Sequence, residues 1–181
     1  MAAERLRAKL LQNANLFPDP LGNNVIEGLV VGTVFKTRDE LQKKKIHVQR
    51  FAGISGTKEL GAQSVVLSGQ YEDDGDKGDV IIYTGTGGQR NSYRNPGPQI
   101  EDQSFDHPMN QHLYKSFQNR RPIRVIRGSA ANSKYAPVEG YRYDGMYTVT
   151  EAYMDKGQSG YAVCKFKLER NPGQTPIPIR Q

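Results

Sequence analysis

Residues 64 to 85 read SVVLSGQYEDDGDKGDVIIYTG. Two runs rich in β-branched residues, SVVLSGQ (64–70) and DVIIYTG (79–85), flank a segment made of the Gly and Asp that turns use. They read as two strands, joined as a hairpin or paired in one sheet. Tyr71 closes the first run and Tyr83 ends the second. The turn carries Glu72, Asp73, Asp74, Asp76 and Asp79 against Lys77, a net charge of −4. The chain as a whole is +6, so the remainder carries +10. A basic protein that gathers its acids between two tyrosines needs an explanation.

Outward from this segment the pattern stays mostly β. GLVVGTVF (28–35) is expected to be a buried strand, RDELQKK (38–44) a helical turn and FAGISG (51–56) a loop. GTGGQRNSYRNPGPQ (85–99) reads as a long flexible loop. DHPMNQHLYKSFQ (106–118) suits a helix capped by Asp106, with Pro108 tolerated in its first turn. PIRVIRG (122–128), YDGMYTVTEAYM (143–154) and YAVCKFKLER (161–170) read as strands. In the last, Cys164, Phe166 and Leu168 alternate with Lys165, Lys167 and Glu169. Residues 1–24 are expected to hold a short amphipathic helix, with Leu6, Leu10 and Leu11 on one side, and a linker; residues 177–181 read as an extended tail. Strands do not alternate with helices, so a doubly wound sheet is not expected.

The 181 residues suffice for one domain with a sizeable core. The mean hydropathy is −0.70, no run approaches the ~20 apolar residues of a membrane span, and no signal peptide is recognised, so an intracellular protein is expected. The lone Cys164 rules out an internal disulfide framework and a Cys-rich zinc site. DDGDKGD fails as a calcium loop: counted from Asp74, the fifth position is Gly78 and the twelfth is Gly85. Gly85, Gly87 and Gly88 fail as a dinucleotide loop because residue 90 is Arg. His107 and His112 stand five apart without an acid or Cys to complete a metal set. Catalytic residues, cofactors and metals are therefore not expected. KSFQNRRPIRVIR (115–127) holds Lys115, Arg120, Arg121, Arg124 and Arg127 with no acid, a composition that favours polyanions or is an ordinary solvated face.

Two aromatics at strand ends can sandwich a planar ring, each stacked base being worth ~1–3 kcal/mol. A carboxylate beside them can accept from an exocyclic amine, and N4 is cytosine's distinguishing donor. Such a group repels phosphate but accepts a base edge, so an acid-lipped cage on a basic body fits an everted cytosine. The residues alone leave open a hydrophilic turn whose tyrosines only pack against the sheet.

Read together, the segments resemble the SRA domain, also called the YDG domain, of readers of modified cytosine in DNA. The motif stands as Tyr143, Asp144 and Gly145. The other shared blocks are AGISG (52–56), SVVLSGQYEDD (64–74), IIYTGTGG (81–88), DQ (102–103), RPIRVIRG (121–128) and KFKLERNPGQ (165–174), so the likeness spans about residues 25–176. It implies an α+β fold with a curved, barrel-like β-sheet and flanking helices, and a partner, double-stranded DNA with a modified cytosine. It implies stacking by Tyr71 and Tyr83, acceptance from N4–H by Asp74, a pyrimidine-edge contact by Thr84, and a wall of Ser68, Gly69 and Gln70 around the C5 substituent. Phe51 would occupy the gap left in the duplex, with Arg90 to Arg94 as a second loop; Arg90, Arg94, Arg124, Arg127 and Lys134 are the candidates for holding phosphates, the alternative for some of them being structural partners of the acids. Many members have Gly where this chain has Gln70, which points to 5-hydroxymethylcytosine being accepted beside 5-methylcytosine. The loop lacks the Asn-Lys-Arg finger of vertebrate members, so strict hemimethylated-CpG preference is not expected. The chain is expected to be a reader rather than an enzyme, in a nucleus or a bacterial nucleoid. The alternatives are the recognition half of a modification-dependent HNH restriction endonuclease and a generic nucleic-acid binder.

Overall fold

The computed structural model describes residues 26, 28–69, 73–90 and 97–180. The N-terminal helix and linker expected over residues 1–24, and with them Gln70, Tyr71 and Arg94, lie outside the described residues. The elements run β1 (Val34–Phe35), α1 (Arg38–Lys43), β2 (Ile54–Thr57), β3 (Gly61–Leu67), β4 (Gly75–Asp76), β5 (Val80–Thr84), α2 (Pro108–Asn119), β6 (Ile123–Gly128), β7 (Tyr141–Lys156) and β8 (Ala162–Arg170).

The strands form one eight-stranded sheet in the order β2-β3-β6-β7-β8-β5-β4, with β1 paired to the start of β7. All neighbours are antiparallel except β3 and β6, which run parallel. A parallel pair needs a long crossover, and here the crossover contains β4, β5, the 85–107 segment and α2. Register shifts at Ser55/Gly56, Val125/Ile126 and Val149/Glu151 bend the sheet, as bulges do. The result is an α+β fold around a curved sheet that stays open, since β2 and β4 are the two ends of its path.

This topology corrects the expected strand pair. β3 and β5 belong to one sheet but are separated by β6, β7 and β8; β5 pairs with β8, as Tyr83↔Phe166 and Thr84↔Lys165. Local sequence carries no term for partner choice, and the tertiary register decides it. Two other expectations also change. GLVVGTVF yields only the two-residue β1, with Val30 and Val34 63% and 64% exposed, because this segment lies along the rim rather than inside the sheet. FAGISG ends in β2, whose Ile54 pairs with Val65.

Alternation along the strands sorts the core onto two faces. Val65 and Leu67 of β3, Ile123 and Val125 of β6, and Cys164, Phe166 and Leu168 of β8 pack with Leu113 of α2. Val66 and Ile126 point the other way, against Leu41 of α1, Ile46 and Tyr143. Helix α2 is capped by His107, whose Nδ1 accepts from the Met109 N–H at 3.2 Å; Asp106, the expected cap, lies one residue too early. Helix α2 is tied to the sheet by two buried polar side chains. Ser116 Oγ accepts from the Ala62 N–H and donates to the Ala62 carbonyl. Asn110 accepts from the Thr86 N–H at 2.8 Å and donates to the Thr86 and Ser104 carbonyls at 2.9 Å.

Candidate nucleic-acid interface

Thr84 ends β5, and its N–H donates to Asp74 Oδ1 at 2.7 Å. That bond folds the acidic turn back over the strand end. Burial pushes the Asp74 carboxyl up to about 7; the Thr84 N–H pulls the other way and offsets this only in part. Asp73 fastens the turn: its Oδ1 accepts from the Gln158 N–H at 2.9 Å, tying the turn to the β7–β8 hairpin tip. Lys165 Nζ donates to the Asp73 carbonyl at 3.3 Å and adds a positive charge near Asp74. The Thr84 hydroxyl is buried and lies close enough to the Asp74 carboxyl to help hold its pKa down, but does not reach hydrogen-bond geometry with it. Thr84 lines a polar cleft of about 250 Å³ together with Asp73, Gly87, Gln89, Gln99 and Ser159.

Tyr83 is only 2% exposed, and its hydroxyl donates to the Val66 carbonyl at 3.4 Å. A Cβ at Gly53 would collide with that hydroxyl, so the glycine of AGISG makes room for the phenol. Tyr71, the expected second ring, and Gln70 lie outside the described residues; Ser68 and Gly69 follow β3 directly. The cleft is also firmer than the glycine-rich sequence implied. The Gly85 N–H donates to the Cys164 carbonyl at 2.7 Å, Thr86 is held by Asn110, and Gln103 Nε2 donates to the Gly85 carbonyl at 2.9 Å. Residues 85–88 are therefore a pinned turn, and the loop expected over 85–99 begins beyond it, at the Gln89↔Gln99 bridge next to Arg90.

Phe51 stands 44% exposed at a loop tip, with the Arg50 guanidinium 5.8 Å from its ring centre. The loop is held from behind. Arg38 donates to the Gln49 and Ala52 carbonyls at 2.8 and 2.6 Å. His47 Nε2 lies 2.8 Å from the same Ala52 carbonyl and Nδ1 lies 2.7 Å from Ser64 Oγ. A carbonyl can only accept, so Nε2 carries the proton and Nδ1 accepts from Ser64. Burial holds the His47 pKa down to about 3, which keeps the ring neutral and this arrangement fixed. Sequence reading missed both residues as supports. Among the described residues no His, Cys, Asp or Glu group fits a metal ion.

The β6 arginines require correction. Arg127 is 0% exposed, with Nε and Nη2 donating to both Asp76 oxygens at 2.8 Å, Nη1 to Asp144 at 2.9 Å and Nη2 to the Gly78 carbonyl at 2.9 Å. Asp144 of the YDG motif also receives two bonds from Arg142. Burial alone would push the Asp76 carboxyl up, but the Arg127 guanidinium and the Ser133 hydroxyl bring it below its ordinary value. Arg124 is buried as well, and donates from Nε to the Ile46 carbonyl at 3.0 Å. Neither side chain reaches solvent, because both faces of β6 are covered. Lys134 does: it is exposed, with Nζ 5.3 Å from the Tyr135 ring centre. The acids of the turn thus divide, with Asp76 neutralising a buried arginine, Asp73 fastening a hairpin at the edge of the cleft and Asp74 capping the Thr84 N–H at the end of β5.

The chain is similar to a UHRF1-like protein of Cryptococcus neoformans, 45% identical over 161 residues, covering 84% of this chain and 47% of that one. It is also similar to the E3 ubiquitin-protein ligase ORTHRUS 1 of Arabidopsis thaliana, 38% identical over 159 residues, of which it covers 26%. The chain spans about half or less of the length of these curated relatives. Among solved structures it resembles the modification-dependent TagI restriction endonuclease, with TM-score 0.76 and 41% identity over 81% of this chain and 51% of that one. It also resembles the SUVH5 SRA domain, solved with hemimethylated CG DNA (TM-score 0.69, 37% identity) and with fully hydroxymethylated CG DNA (0.70, 38%), in each case over 84% of this chain and 96% of that one. A family model described as the SAD/SRA domain matches residues 23–174, and with the blocks around Tyr143–Gly145 and the acidic turn in the positions described above, the chain belongs to the SAD/SRA domain family.

Proposed function

We propose that this chain binds duplex DNA carrying a 5-modified cytosine and holds the modified base, turned out of the helix, against Tyr83 with Asp74 reading its amine. Tyr71 is the opposing ring in this reading, and Ser68, Gly69 and Gln70 surround the C5 substituent. The observation that carries it is the half-buried Asp74 carboxyl, fixed by the Thr84 N–H, beside the buried Thr84 hydroxyl, with Thr84 lining a polar cleft. Buried polar groups without partners are rare, and an everted pyrimidine edge supplies both a donor and acceptors. The SUVH5 SRA complexes with hemimethylated and hydroxymethylated CG DNA support the same reading.

Eversion costs a few kcal/mol in pairing and stacking. Two aromatic faces at ~1–3 kcal/mol each cover that cost, whereas the C5 methyl adds only ~0.8 kcal/mol of apolar burial. Selectivity therefore rests on the fit of the wall. A Gln70 amide near a hydroxymethyl group supplies a hydrogen-bond partner, so 5-hydroxymethylcytosine is accepted alongside 5-methylcytosine. Phe51 fills the vacated stack, Arg90 and Arg94 approach from the second loop, and Lys134 contacts phosphate.

In this reading the chain recognises DNA and leaves chemistry to modules outside it. The likeness to the UHRF1-like protein favours a nuclear chromatin reader; the likeness to TagI favours the recognition half of a modification-dependent nuclease. The test is a titration panel of cytosine, 5-methylcytosine and 5-hydroxymethylcytosine duplexes, modified on one strand or both, with single strands as controls. Equal affinity for modified and plain duplex would defeat the proposal, and tenfold weaker binding to the hydroxymethyl form would defeat its Gln70 part.

A further inference from the structure

We infer that residues 175–180 form a clasp that positions the wall of the base pocket, with Arg180 as its positioning residue. The inference rests on the pocket reading above and extends it to a segment beyond residue 174, where the family match stops. Gly69, of the pocket wall, has φ 75, and a Cβ there would collide with the Ala130 carbonyl oxygen. The chain from Ser129 to Pro137 thus backs directly onto that wall, and it carries Lys134.

This segment lies outside every strand; the carbonyls of Ala131 and Ser133 take turn bonds from within it, and those of Ser129, Lys134, Ala136 and Pro137 need donors from elsewhere. Arg180 supplies them. Its Nη2 donates to Ser129 and Pro137 at 2.6 and 2.5 Å, and its Nε to Ala136 at 3.2 Å. Its backbone N–H donates to Lys134 at 2.6 Å. One residue therefore grips both ends of the segment and two points between. Arg142 takes the Tyr135 carbonyl. The approach to the clasp is itself anchored, since Arg170 Nη2 donates to the Thr175 carbonyl at 2.5 Å and Ile177 packs against the main core. A lysine offers a point charge in place of this planar fork and cannot serve the same set of carbonyls.

The test compares wild type with Arg180→Ala and Arg180→Lys by hydrogen exchange and by titration with methylated and plain duplexes of one sequence. Arg180→Ala should speed exchange across 129–137 and 68–69 about fivefold or more while β8 and α2 keep their protection. Its affinity for the methylated duplex should fall about fivefold with the plain duplex changed less than twofold, and Arg180→Lys should fall between. Unchanged exchange over 129–137 would overturn the clasp, as would faster exchange with an unchanged ratio of the two affinities. A wild type that does not discriminate the duplexes defeats the pocket reading instead, and the exchange result still decides whether the clasp holds the segment.

Discussion

Replacing Asp74 by asparagine should stabilise the protein at pH 8 while disturbing its binding of modified DNA. The Asp74 carboxyl is raised by burial from 3.8 to about 7 in the folded chain. A folded value above the unfolded one means that the fold prefers the protonated form. The associated stability is complete below about pH 4, declines as the pH rises toward 7 and is gone above it. At 1.36 kcal/mol per pH unit of difference, ionised Asp74 costs the fold on the order of 4 kcal/mol, an upper figure because the residue is only partly buried and solvent screens part of it. Asparagine keeps an oxygen for the Thr84 N–H and carries no charge. Urea unfolding of both proteins from pH 4 to pH 8 should give similar stabilities at pH 4 and a gap that opens steadily to pH 7 and then levels. For a domain of this size each kcal/mol moves the thermal midpoint by about 2–4 °C, so the gap is easily resolved. Parallel stability curves across this range would refute the reasoning, because Asp74 would then be ionised and solvated in the fold.

Asp144→Ala should cost about 3–5 kcal/mol in urea unfolding, since it leaves the buried Arg142 without its carboxylate while Arg127 keeps only Asp76; a change under 1 kcal/mol would mean the Arg127–Asp144–Arg142 group is not what joins β6 to β7. Phe51→Ala should weaken binding to modified duplex about 10-fold or more, from the loss of a ring worth ~1.5–3 kcal/mol when buried, with an unchanged thermal midpoint because the ring is exposed in the free protein. Lys134→Ala should weaken methylated and plain duplexes alike and lower the slope of log K against log salt by about 0.9, as measured by anisotropy at several salt concentrations. Gly53→Ala should destabilise the fold by about 1–3 kcal/mol through the collision with the Tyr83 hydroxyl, read by thermal unfolding.

Features carried by local periodicity were legible before any coordinates. The alternation of Cys164, Phe166 and Leu168 specified β8 and its buried face, and Pro108 with a following amphipathic run specified α2. Residue types at the site were legible too, because stacking needs aromatics and an amine needs an acceptor. Partner choice among strands was not legible, and β3 and β5, which read as a pair, stand three strands apart.

The chain order of residues alone determined that this protein is a β-rich member of its family, with an acidic turn between two tyrosines and a net positive body. Only the tertiary structure decided what each charge does. Arg124, Arg127 and Lys134 look alike as basic residues in a basic region, yet two are sealed under the sheet and one faces water. Asp73, Asp74 and Asp76 are near neighbours in sequence and serve a hairpin, a strand end and a buried arginine. The reason is physical: a charge acts through its solvation and its partners, and both are set by distant segments that sequence proximity does not encode.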